Sequence, residues 1–76
     1  MKVNESKITE AQFDSSSIKK SSFNHTNRTL TVEFKNATYK YYEVEEETFS
    51  KFIYAKSQGK SFVDLLKDKY DFEKIN

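Results

Sequence analysis

The chain has 76 residues, with 13 Lys and Arg against 12 Asp and Glu, a formal net charge of +1, one glycine, and neither cysteine nor proline. That length allows one small domain, which buries only about 60% of the surface its unfolded chain exposes. The composition excludes a disulfide framework, a thiolate metal site and the bulk basic signature of many nucleic-acid-binding domains, though not a local basic patch.

Residues 1–15 are polar, with isolated Val3, Ile8 and Phe13 and no period. They read as a loosely ordered arm able to add a short strand or turn, with a single domain over 16–76. The opening MKVNESKITE lacks the apolar core of a signal peptide. No apolar run reaches the ~18 residues of a membrane span, so the expected location is the cytoplasm. Four Asn-x-Ser/Thr sequences, at Asn4, Asn24, Asn27 and Asn36, read as turn and strand-end polar residues. Twelve lysines beside the single Arg28 fit an AT-rich coding sequence, as in a phage or an AT-rich bacterium.

Ile18 to Phe23 predicts a first strand, and NHTNRT supplies turn residues. TLTVEF, Thr29 to Phe34, alternates cleanly: Leu30, Val32 and Phe34 on one side, Thr29, Thr31 and Glu33 on the other. A two-residue turn at Asn36 and Ala37 would pair Phe34 with Tyr39, Val32 with Tyr41, Glu33 with Lys40 and Thr31 with Tyr42. Tyr39 and Tyr41 then face the core, and Tyr42 faces solvent with Lys40. Ala37 fits such a turn poorly, because a type I′ turn favours glycine at positive φ.

After Val44 the period changes. Phe49, Phe52, Ile53 and Lys56 form the stripe of a short helix, with Glu45, Glu46 and Glu47 in its first turn, where negative charge suits the dipole. Gly59 is placed to end this helix in a left-handed cap. Ser61 to Asp64 resembles a capping box for a second helix, whose apolar face is Phe62, Leu65, Leu66 and Tyr70. The expected fold is α+β: a three-stranded antiparallel meander followed by two short helices packed on one face.

These residues carry a resemblance. Ser16 to Phe72, roughly three-quarters of the chain, is similar to the KTSC domain, a module named for the C-terminus of some lysyl-tRNA synthetases and also found alone in bacteria and phages. The family's Tyr-x-Tyr falls on Tyr39 and Tyr41. Its upstream Ser…Ile falls on Ser16 or Ser17 with Ile18, and its following aromatic on Phe23, where Tyr is usual. Its Leu-x-Val-x-Phe strand is Leu30, Val32 and Phe34, its Ala-x-Ser-x-Gly element is Ala55, Ser57 and Gly59, and its closing pattern is Phe62, Leu66 and Tyr70. The usual hairpin glycine is missing near Asn36 and Ala37, and the usual proline after Val44 is Glu45. The resemblance implies RNA binding.

Catalysis finds little support in the residues. His25 sits in a predicted hairpin loop as a solvated polar residue, and Ser15, Ser16 and Ser17 lack a Gly-x-Ser-x-Gly setting. Glu45 to Glu47 need no metal as a solvated helix start, and no cofactor is expected. Aromatic rings beside lysines can stack on bases while ammonium groups meet phosphates. The candidate binding residues are Tyr42 and Lys40 on the outer sheet face, Tyr39 and Tyr41, Ser57, Lys60 and Lys67 around the second helix, and Tyr70. The expected function is a non-catalytic binding module for single-stranded RNA; the alternative is a protein-interaction module, for example a phage protein that occupies a host factor.

Overall fold

The computed structural model describes residues 7–76 as strands β1 (Ile8–Gln12), β2 (Ile18–Asn24), β3 (Thr29–Phe34) and β4 (Thr38–Tyr41), helices α1 (Glu46–Ile53) and α2 (Gln58–Leu65), and strand β5 (Phe72–Lys74). All neighbours pair antiparallel in the order β1-β2-β3-β4-β5. The chain is therefore α+β, but its sheet has five strands where three were expected. β1 lies within the segment read as an arm; residues 1–6, including Val3 and Asn4, lie outside the described residues. Both additional strands, β1 and β5, are edge strands with almost wholly exposed side chains. They are held chiefly by backbone bonds, and side-chain alternation does not report those.

One face of the sheet is buried. Ile18, Phe23, Leu30, Val32 and Tyr41 meet Val44, Phe49, Phe52 and Leu66 in a single core. Ile18 and Phe23 are five residues apart, so a regular strand would put them on opposite faces. The register of β2 on β3 shifts between Ile18 and Lys20, a bulge that returns Ile18 to the core side with Ser21 and Phe23. Lys19, at the bulge, reaches Glu33 at 3.6 Å.

The β2–β3 hairpin is closed by polar chemistry. The Asn24 side-chain oxygen accepts from the Thr26 and Asn27 N–H groups at 2.9 and 3.1 Å, and Arg28 takes φ 58 before β3 begins. The next hairpin corrects the sequence register. The Phe34 N–H donates to the Ala37 carbonyl at 2.7 Å, so the turn is Lys35–Asn36, one residue early. Glu33 pairs with Thr38, Val32 with Tyr39, Thr31 with Lys40 and Leu30 with Tyr41, each pair displaced by two residues from the expectation. An even displacement leaves every side chain on its expected face, so Tyr41 is buried and Tyr39 half-buried on the core side. Neither turn residue has positive φ, so no type I′ turn is needed and the missing glycine is harmless. Glu45, where the family has proline, holds φ −74, within the range proline imposes.

The helix junction also differs from the expectation. Helix α1 ends at Ile53 with Tyr54 as its C-cap, and Ser57 caps α2 by accepting from the Lys60 N–H. Gly59 is thus inside the first turn of α2, without positive φ, and is not the terminator of α1. Ser61 is a buried residue within α2 and not its cap. The reason is local: a serine at 57 supplies an N-cap acceptor four residues earlier than the one at 61. The left-handed residue that turns the chain after α2 is Asp68, at φ 62.

Two stability measurements follow. Tyr41→Ala removes a ring with 2% exposure and is expected to cost roughly 3–5 kcal/mol in denaturant unfolding, whereas Tyr42→Ala on the outer face is expected to change stability little; the reverse ranking contradicts the facing of β4. A Cβ at Gly59 meets nothing within 4 Å, so Gly59→Ala is expected to raise stability by about 0.5–1 kcal/mol through helix propensity. A loss of stability would overturn the placement of Gly59 within α2.

Candidate functional site

At one end of the sheet, the start of β2, the β3–β4 turn, β4, β5 and α2 enclose an open groove of about 570 Å³. Its walls are rings. Phe62 of α2 stands edge-on to Phe34 at 5.1 Å and to Tyr41 at 5.7 Å. Across from it, Phe72 of β5 leans on Tyr39 at 5.7 Å and on Tyr41 at 5.5 Å, each with planes 32° apart. The rings converge because Tyr39, Tyr41 and Phe72 sit on the helix-facing side of adjacent strands, with Tyr41 paired to Phe72. The walls are only partly closed: Phe72 is 55% exposed and Val63, also lining the groove, is 52% exposed.

Polar groups line the same groove: the Ser16–Ser17 segment, Lys35 in the turn, and Lys67 with Asp68 after α2. The ion pairs among the described residues are Lys19–Glu33 and Lys51–Glu47, with His25 beside Glu46 forming one only when its imidazole is protonated. Lys35, Lys67 and Asp68 are in none of them. The Tyr41 phenol pKa is pushed up to about 12, first by burial and then by Tyr39 and Asp68. It therefore stays protonated and able to donate across the physiological range.

The eight sequence-derived candidates do not form one site. Tyr39, Tyr41 and Lys67 come together in the groove. Tyr42 and Lys40 lie on the outer face, where the Tyr42 hydroxyl donates to Glu73 Oε1 at 2.7 Å and the Lys40 ammonium sits 5.7 Å from the Tyr42 ring centroid. That hydrogen bond is the first cause of a raised Tyr42 pKa. Ser57 and Lys60 line a separate depression at the start of α2, with the Ser57 hydroxyl used as a cap. Tyr70 shares a hydrogen bond with Thr48 at 3.0 Å, bracing the end of the chain on α1. The sequence reading missed Phe72, Lys35 and Asp68 as groove residues. Phe72 lies in a three-residue strand after the helices, too short for a period to show.

His25 is less solvated than its loop position predicts. It is flanked by Thr9 Oγ1 at 2.7 Å from Nε2 and by Glu46 Oε2 at 3.0 Å from Nδ1, with its ring edge-on to Phe23. It fastens β1 to α1 well away from the groove. No group of three or more His, Cys, Asp or Glu among the described residues is placed to hold a metal ion, and no helix among them is long and apolar enough to cross a membrane.

These features define a small α+β domain whose sheet is covered on one face by two helices, with an aromatic groove at one end. The KTSC domain family model matches residues 14–70, and the chain belongs to that family. Among solved structures, the crystal structure of a KTSC domain protein from Yersinia pestis is similar, at 30% identity and a TM-score of 0.85, over 92% of this chain and 100% of that one. No curated protein matches the chain.

The raised Tyr41 pKa has a measurable consequence. Its phenol ionises near pH 10 in the unfolded chain and near 12 in the fold, so the native state holds that proton more tightly. Stability is therefore full below pH 10 and falls as pH rises from 10 towards 12. Ultraviolet absorbance titration is expected to show, besides the raised Tyr42, a late-ionising tyrosine that is missing in Tyr41→Phe. A titration unaffected by that substitution would contradict the assignment.

Proposed function

We propose that this KTSC domain is a small, non-catalytic cytoplasmic binding module for single-stranded RNA, and that the groove is where a base enters. The observation that carries the reading is the partly open set of rings of Phe34, Tyr39, Tyr41, Phe62 and Phe72, beside Lys35 and Lys67, which are in no ion pair among the described residues. Exposed ring surface supplies stacking, about 1–3 kcal/mol per base, and the two ammonium groups supply phosphate contacts. The family resemblance points the same way. With Tyr42 bonded to Glu73 and Lys40 set over its ring, the outer face takes a lesser part in this reading than the groove.

Fluorescence anisotropy with short labelled RNA tests it. Two phosphate contacts give a log–log salt slope of about −1.4 for a single strand, so a fourfold rise in salt is expected to weaken binding about sevenfold. Phe72→Ala removes an exposed ring and is expected to cost about 1–3 kcal/mol in binding without unfolding the domain. Lys67→Ala is expected to reduce the salt slope by about 0.7, and Tyr42→Ala to leave affinity unchanged. Absence of binding at low salt, or affinity indifferent to Phe72→Ala, contradicts the reading; a specific protein recovered by the same groove residues would favour the alternative of a protein-interaction module.

A further inference from the structure

The rings of the groove require only a flat apolar face, but two of its polar groups ask for more. Tyr41 is 2% exposed. The tyrosine hydroxyls with partners among the described residues are those of Tyr42 and Tyr70. The Tyr41 hydroxyl has none, and it is not sealed in the core, where the one orphaned buried side-chain atom is Ser21 Oγ. What remains open to it is the groove that Tyr41 lines. The hydroxyl is therefore free to donate to a ligand acceptor placed in the groove.

Asp68 is the second group. It lines the same groove, forms no ion pair among the described residues, and acts electrostatically on the Tyr41 phenol. It is held at φ 62 by the turn that follows α2. A carboxylate is an acceptor only and can take two N–H groups at once. The groove thus offers one donor near one bidentate acceptor, between aromatic walls.

We propose that the groove selects guanine, with the Tyr41 hydroxyl donating to O6 and the Asp68 carboxylate accepting from N1–H and the 2-amino group. This rests on the RNA reading of the groove. Among the four RNA bases, guanine alone sets two adjacent donors beside an acceptor on its pairing edge. Uracil offers a single N–H, while adenine and cytosine offer one amino group beside a ring nitrogen acceptor. Lys67, next to Asp68 in the chain, and Lys35 are left for the flanking phosphates.

The experiment compares four short uridine oligonucleotides whose central base is U, A, C or G, titrated into the intact protein at low salt. The G oligonucleotide is expected to bind about 5- to 150-fold more tightly than the others, the discrimination that one bidentate pair supplies. Inosine keeps O6 and N1–H but lacks the 2-amino group, and in place of G it is expected to fall between G and U, with no change to the protein. Asp68→Asn, on an exposed residue whose replacement also tolerates positive φ, is expected to bring G down to the level of the other bases without weakening them. Equal affinity for all four, preference for another base, inosine equal to G, or a guanine preference that survives Asp68→Asn each overturns this inference while leaving the RNA reading standing. Absence of binding by any of the four overturns the RNA reading itself.

Discussion

The packing of Phe23 on Phe49 holds the two layers of the molecule together. The rings lie 4.5 Å apart and nearly parallel, with planes at 12°, joining the end of β2 to the middle of α1. That contact sets α1 on the sheet, and the groove is built beyond it. With α1 fixed over the sheet, Phe52 and Leu66 complete the core. Helix α2 then runs where its Phe62 meets Phe34 and Tyr41. The bulge at Lys19 belongs to the same arrangement, because it lets Ile18 and Phe23 share one face across an odd interval. A domain of this size has few buried residues to spend on holding its helices, and this stack is one of the ring contacts, with Phe62 on Phe34 and Tyr41, that join the layers.

The parts of the fold that bury apolar side chains were legible in the sequence. The alternation of Thr29 to Phe34 and of Tyr39 to Tyr42 set the faces correctly even though the register was displaced by two residues. Facing depends on parity alone, while register depends on where the turn falls, and no glycine marked it. The edge strands were illegible for the converse reason: the Ile8–Gln12 and Phe72–Lys74 side chains are almost all exposed, and backbone pairing leaves no period. Gly59 misled because a lone glycine between two apolar stripes reads as a terminator, whereas the Ser57 cap moves it inside α2.

The candidate site was legible only in fragments. Tyr39, Tyr41 and Lys67 could be named from their types, but the sequence could not show that they share a groove with Phe72 and Asp68. That requires β5 to lie beside β4, and 30 residues containing both helices separate the two strands. The same pairing brings Glu73 to the Tyr42 hydroxyl, tying down the side chain that faces solvent in the hairpin alone. The KTSC family's Tyr-x-Tyr thus serves both the core and the groove: Tyr41 closes the base of the groove, and Tyr39, beside it, supports Phe72.

Strand β5 gives the groove a thermodynamic character of its own. It has three residues, all exposed, and is tied to β4 by bonds such as those from the Tyr42 N–H to the Asp71 carbonyl at 2.9 Å and from the Ile75 N–H to the Thr38 carbonyl at 2.8 Å. An element with so few buried contacts opens at lower free energy than the core strands it adjoins. Phe72 rides on that element, so one wall of the groove is present only in the fraction of molecules whose last strand is docked. Apparent affinity for any occupant of the groove is scaled by that fraction. Substitutions that change nothing but the docking of β5 therefore tune binding, and an occupant held against Phe72 in turn fastens the end of the chain.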